Sequence, residues 1–247
     1  MDCKRIALVA GLVVVLSAVF VGTAAAQSAP DCSTVTYSTD TDGALLVENV
    51  DQLQCMNESL SEDYRLANDI DASGTSAWNS GQGFDPVGPD TSTPFTGTLD
   101  GDGHVVTGLS ISRSTDYLGL FGATDQATVR DLGIEDVNIT DETADTVGAL
   151  AGWTNRTEVR NTHATGTVSV SCCAGGLVGE ANVASGSSVG NVFEDVYSEV
   201  KVEAPNCCAG GLFGWFEGGS IQDSYATGNV DAENCCAGGL SGWIENL

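Results

Sequence analysis

Five glycine-rich runs punctuate the chain at a near-constant interval. They are "YLGLFG" from Tyr117, "VGALAG" from Val147, "AGGLVG" from Ala174, "AGGLFG" from Ala209 and "AGGLSG" from Ala237. Their starts lie 30, 27, 35 and 28 residues apart. A second phrase recurs with them, as "VRDLGIEDVNI" from Val129, "VRNTHATGTVSV" from Val159 and "IQDSYATGNVDA" from Ile221. In the long interval the matching piece is "VGNVFEDVYSEVKVEA", which carries the extra residues as a loop insertion would. Self-similarity of this kind means that one supersecondary unit is repeated and stacked.

Each unit reads as short strands of β-branched and small residues separated by Gly, Asn, Asp and Ser, with no sustained helical period. Propeller blades need longer strands than these units provide. About 28 residues suits one turn of a parallel β-helix, whose turns stack one strand spacing, about 4.8 Å, apart. The expected fold is all-β, a right-handed parallel β-helix (solenoid) with a small N-terminal cap. Residues 27–65 would form the cap and residues 66–247 the repeats. Leu120, Leu150, Leu177, Leu212 and Leu240 are expected to stack as an inward ladder. The repeat glycines are Gly119, Gly122, Gly148, Gly152, Gly175, Gly176, Gly179, Gly210, Gly211, Gly214, Gly238, Gly239 and Gly242. They are expected to allow corners of positive φ and close backbone approach.

The runs "GGLVG" and "GGLFG", together with "DSYATGNV", resemble the GLUG motif of secreted and surface proteins. The stretch from Asp63 to Ile111, with "DYRLANDIDASG" and "PFTGTLDGDGHVVTGLSI", is similar to the segment that commonly precedes such repeats. The resemblance spans about Leu46 to Leu247. It implies the solenoid fold and says little of activity. "VGALAG" lacks one of the motif's glycines, and the motif does not include paired cysteines.

Those pairs stand before three of the runs, as Cys172-Cys173, Cys207-Cys208 and Cys235-Cys236. In register they take the place of Asp145-Thr146 and Thr115-Asp116 in earlier units. Stacked units bring equivalent Cα atoms within disulfide range. Three cysteines cannot all pair within one column, however. Vicinal disulfides, pairing of two units with the third left over, and a thiolate metal site all stay open. Cys32 and Cys55 most simply pair across the N-terminal cap.

The chain opens with Lys4 and Arg5, an apolar stretch from Ile6 to Val21 and "AAA" at Ala24 to Ala26. This pattern is a secretory signal, residues 1–26, and it implies export into an oxidising space. Its removal leaves six basic and 33 acidic residues, a net charge of −27, and no later segment apolar enough to span a bilayer. So acidic a surface repels nucleic acid and anionic lipid. Hydrophobic residues at 42% are nevertheless enough for a core, which argues against disorder and for adaptation to high salt. Sequons at Asn57, Asn138 and Asn155 are candidate glycosylation sites. The last run stops without a polar cap, and a further C-terminal region of the same protein is expected.

Catalytic signals are sparse. "GSSVG" at Gly186 to Gly190 matches a nucleophile-elbow pattern, but His104 and His163 both precede it, so it reads as chance. Asp69 with Asp71, and Asp100 with Asp102, are paired acids of the type that cleave glycosides. Asp100 and Asp102 are also weak candidates for calcium, although the loop lacks the full ligand spacing. Trp153, Trp215 and Trp243 follow the last glycine of three runs and could form an aromatic stack. The functional expectation is a non-catalytic secreted or surface stalk for adhesion or envelope contact. It needs no cofactor, and its partner is a surface glycan or protein. The alternative is a carbohydrate-active β-helix enzyme, a polysaccharide hydrolase or lyase.

Overall fold

The computed structural model describes residues 28–141, 143–183, 189–234 and 236–245. The expected signal segment, Cys235 and the core of the "GSSVG" pattern lie outside them. The chain is mostly β, built from three ladders whose strand order follows chain order. One ladder runs through Leu45–Val47, Asp63–Leu66, Thr98–Asp100, Thr128–Asp141, Glu158–Val170, Asn191–Glu203 and Gly219–Gln222. A second stacks Tyr117–Leu118, Thr146–Val147, Cys173–Gly175, Ala209–Gly210 and Ala237–Gly238. The third stacks Phe121–Asp125, Ala151–Asn155, Val178–Asn182, Phe213–Phe216 and Ser241–Ile244. Pairing between successive units is parallel; among the described residues the edge strand Ser38–Thr39 is antiparallel to its neighbour, as is the isolated bridge Gly83–Ile111. None of the three ladders closes into a barrel.

Parallel register places like residues in columns. Leu99, Val129, Val159, Phe193 and Ile221 form one apolar column, and Ile111, Ile139, Val168, Val202 and Val230 another. Leu120, Leu150, Leu177 and Leu212 are at most 1% exposed, and each amide from Leu150 to Leu212 donates to the leucine carbonyl of the next unit. Fully burying each leucine stabilises by about 1.5–3 kcal/mol relative to exposure. Leu240, in the last unit, is only partly buried.

The glycines do less turning than expected. None of the repeat glycines has positive φ; the recurring left-handed bend falls instead on Asp131, Asn161 and Asp195 inside the long strands and on Asp223 just after Gly219–Gln222, with φ of 44–54°. Asp and Asn tolerate this region better than other side chains, which explains their recurrence at that point of the unit. The glycines answer a crowding problem. A Cβ on Gly175, Gly210 or Gly238 would stand 1.8–2.0 Å from the carbonyl oxygen three residues on. A Cβ on Gly179, Gly214 or Gly242 would press 2.5–2.7 Å from backbone of a neighbouring strand. The second and third ladders thus approach as bare backbone.

One assumed register shifts. Tyr117 pairs with Thr146 and Leu118 with Val147, so Asp116-Tyr117, rather than Thr115-Asp116, precede the later cysteine pairs in their columns. "LGLFG" is one residue shorter than "VGALAG" between the two ladders, a deletion that alignment on the glycines hid. The insertion resolves as well. Asn155 pairs with Asn182 but Glu158 with Val192, so seven extra residues sit between Asn182 and Val192. The buried Asn191 side chain closes that loop, donating to the Asn182 carbonyl at 2.7 Å and accepting from the Thr157 amide at 3.0 Å.

At the N-terminal end a disulfide joins Cys32 to Cys55, the last residue of the short helix Val50–Cys55. Asn49 caps that helix by accepting from the Gln52 amide. The segment around Val87 and Phe95 then covers the third ladder's first strand, exchanging hydrogen bonds with Leu120, Gly122, Ala123 and Asp125. Such cover removes an open edge. In the last described unit Tyr225, Trp243 and Ile244 are exposed.

The crowding account makes a paired prediction. At Gly176 a Cβ would meet the Gly211 carbonyl oxygen at 2.2 Å, whereas at the equivalent Gly239 nothing lies within 4 Å. Gly176→Ala is expected to cost about 1–3 kcal/mol by overpacking. Gly239→Ala should leave the thermal midpoint nearly unchanged, and calorimetry of the two variants checks the contrast.

Candidate functional site

Three side-chain columns on the ladders carry chemistry. The first is the cysteine column. Cys172 and Cys207 form a disulfide between adjacent units, with Cα atoms 4.6 Å apart, close to one strand spacing. Cys173 pairs with Thr146, and the carbonyls of Cys208 and Cys236 accept from the amides of Ala174 and Ala209. The second members of the three pairs therefore share one column. The sulfurs of Cys172, Cys173 and Cys207 lie within 4.8 Å of one another. They suit a thiophilic ion only when reduced, because the disulfide occupies two of the three.

The second column is charged. Arg65, Asp100, Arg130, Arg160 and Glu194 follow in register. Arg130 donates to Asp100 at 2.8 Å, Arg65 bridges Asp40 and Asp100, and Arg160 pairs with Glu158 and Glu194. Arg113, Arg156 and Lys201 pair with Asp85, Asp125 and Glu203. All six cations downstream of the signal segment are therefore engaged. Burial pushes the Asp100 carboxyl up, but the Asp102 amide and the Arg130 and Arg65 guanidinium groups outweigh it and hold it below its ordinary value.

The candidate acids are tied into hydrogen bonds and ion pairs within the fold. Two arginines on Asp100 make a poor setting for calcium, and Asp102 sits in a left-handed turn with its amide donating to Asp100. That arrangement corrects the calcium expectation at Asp100 and Asp102. Asp69 accepts from His104 and from the Val105 amide, and both lower its pKa. Asp71 accepts from the Ser73 amide and is also lowered. A general acid needs the opposite shift.

Two sequons are corrected. Asn155 is 4% exposed and donates to Asp125. Asn57 uses both ends of its amide, donating to the Asp85 and Pro86 carbonyls and accepting from the Gly88 amide. Glycan at either would replace an Nδ2 hydrogen and so compete with the bonds that Nδ2 donates. Asn138 alone of the three is exposed.

The third column is aromatic, and the expected stack is interrupted. Ala123, Trp153, Glu180, Trp215 and Trp243 follow in register. Trp215 and Trp243 are neighbours, with ring centroids 6.2 Å apart and planes tilted by 52°. Glu180 stands between Trp153 and Trp215. Burial pushes the Glu180 carboxyl up; the Asn182 side chain opposes this by donating to it at 2.9 Å, and nearby Glu217 adds to it.

A continuous stack does exist elsewhere. His163, Tyr197 and Tyr225 are register partners, with centroids 4.8 and 5.2 Å apart and nearly parallel planes. His163 also meets Glu135 at 3.3 Å. The signal was present in "RNTHAT", "FEDVYSE" and "IQDSYAT", where each ring follows the left-handed Asp or Asn by two residues.

Comparison with known proteins places this geometry. The chain is similar to Halomucin of Haloquadratum walsbyi. Identity is 39% over 147 residues, which is 57% of this chain and 2% of Halomucin. It is also 36% identical over 112 residues to a "Putative Gly-rich membrane protein" of Evansella cellulosilytica, 43% of this chain and 13% of that one. The matches thus span a small fraction of these relatives' lengths. Among solved structures, a "putative immunoglobulin A1 protease" from Bacteroides ovatus shares the fold, with a TM-score of 0.70 at 22% identity over 84% of this chain and 64% of that one. No family model matches the chain, so the GLUG resemblance stands on its motifs alone.

Two predictions test these columns. Cys172→Ser with Cys207→Ser should lower stability by about 2–4 kcal/mol in denaturant unfolding. Because Glu180 is raised in the folded state, its ionisation costs stability as pH climbs through the folded-state pKa. Glu180→Gln should therefore raise the thermal midpoint at pH 7, with the gain vanishing below about pH 4.

Proposed function

We propose that the chain is a non-catalytic, secreted or surface-exposed stalk, a right-handed parallel β-helix of GLUG type that displays its columns for adhesion or envelope contact. The observation that carries this reading is the unit-to-unit register of three parallel ladders. Such a scaffold is extended and regular, and it presents the same positions again and again along one face. The similarity to Halomucin fits a surface protein of a salt-adapted source, and the Gly-rich membrane protein points toward the cell envelope. No helix among the described residues is long and apolar enough to cross a membrane. With every cation engaged, the remaining carboxylates stay hydrated and screened in concentrated salt.

The enzymatic alternative rests on the paired acids. Asp100 held ionised by two arginines, and Asp69 and Asp71 tied into turns, favour the scaffold over it.

Antibody labelling of intact cells of the source organism should detect the chain at the surface, and purified chain should release no reducing ends from neutral or acidic polysaccharides. Recovery in the soluble cell interior would overturn the surface reading. Sugar release that disappears in Asp100→Asn would overturn the non-catalytic one.

A further inference from the structure

The strand Thr128–Asp141 carries the sequon Asn138-Ile139-Thr140 near its end. Side chains alternate across a strand, and Val137 and Ile139 are buried in the core. Asn138 and Thr140 therefore stand together on the outer face, Asn138 exposed and Thr140 half-buried. The Asn138 backbone is tied down, its amide donating to the Leu109 carbonyl at 2.8 Å. Its side chain is not. Among the described residues no hydrogen bond reaches the Asn138 side-chain amide or the Thr140 hydroxyl.

The register neighbours of the sequon are short. Ser110 and Thr167 flank Asn138, and Ser169 flanks Thr140. Past Thr140 the surface opens into a cleft of about 480 Å³, lined by Ser112, Ser114, Thr140, Asp141, Thr143 and Ser169. Every one of these side chains carries a hydroxyl or a carboxylate, so the cleft suits a hydrated, polyhydroxylated group. Thr140 belongs to both the sequon and the cleft, and it lies about 7 Å along the strand from Asn138. A sugar ring joined to Asn138 thus meets open space and hydroxyl partners.

The other two sequons lack this freedom. Asn57 and Asn155 both spend Nδ2 hydrogens on hydrogen bonds within the fold. Attachment at Asn138 displaces none. We propose that Asn138 is the N-linked glycosylation site of the exported chain, with its first sugar beside the hydroxyl cleft. This inference rests on the export part of the surface reading.

The group transferred is a sugar activated at its anomeric carbon by a phosphate ester. Asn138 Nδ2 forms the new bond to that carbon, and the anomeric C–O bond breaks. The phosphate departs with the bonding pair, and Nδ2 gives up one proton to a base of the transferase. The Thr140 hydroxyl, two residues on, is the second group that an acceptor sequon must present.

The test is mass spectrometry of the full chain, purified in folded form from cells of the source organism. The tryptic peptide ending at Arg156 holds both Asn138 and Asn155, so fragmentation must retain the sugar in order to place it. A discrete mass increment is expected on Asn138, with none on Asn57 or Asn155. Asn138→Gln and the near-isosteric Thr140→Val should lose the increment, and Thr140→Ser should keep it. Circular dichroism verifies the folding of each variant, and the map of the unaltered chain decides the matter if a variant unfolds. An unmodified Asn138, or sugar on Asn57 or Asn155, overturns the proposal. So does an increment that survives Asn138→Gln, which would move the sugar to hydroxyls such as those of Ser112 or Thr143. A chain that labels at the cell surface without sugar loses this inference alone; a glycosylated chain that fails to label there loses the stalk reading alone.

Discussion

The parallel hydrogen-bond ladder between consecutive units governs everything else in this protein. Each strand takes its register from the strand of the preceding unit, so a residue's neighbours along the stack are its own counterparts. Chemistry placed at one position is thereby summed along a line. Apolar counterparts become the core columns, cysteines meet at disulfide distance, and rings meet face to face at 4.8 and 5.2 Å. The same rule is costly for charge, because identical ions would stack one strand spacing apart. The column Arg65, Asp100, Arg130, Arg160, Glu194 contains one such contact, Arg130 on Arg160. Asp100 on one side and Glu158 with Glu194 on the other neutralise it.

The ladder also explains the unusual glycine content. The second and third ladders are joined in each unit by a short Gly-Leu link, lengthened to Gly-Ala-Leu at Gly148–Leu150, and their strands come so close that Cβ atoms cannot fit between them. At the recurring bend of the unit, positive φ falls on Asp131, Asn161, Asp195 and Asp223 rather than on the repeat glycines. Those glycines serve clearance, while other glycines, Gly166 and Gly219 among them, do take positive φ.

The repeat period, the leucine column and the neighbouring cysteine pairs were readable from the chain, because each depends only on matching offsets. The deletion at Gly119 was not, since glycine alignment tolerates a one-residue slip that strand pairing forbids. The fate of the sequons and acids was hidden too. Whether Asn155 faces water or Asp125, and whether Asp100 meets calcium or two arginines, depends on neighbours some 30 residues away. The interruption of the tryptophan column at Glu180 was obscured for a related reason. The eye grouped three tryptophans by their common offset and passed over the one unit where a glutamate takes their place.

The Cys172–Cys207 disulfide spans 35 residues and so encloses one whole unit, including the seven-residue insertion. Val189, 60% exposed, lies inside this covalent ring. A protease that cut the chain beside it would open one loop without separating the two halves, which would remain bound through sulfur and through the ladders on either side. The turn that carries the insertion is therefore one where a broken backbone leaves the two halves joined.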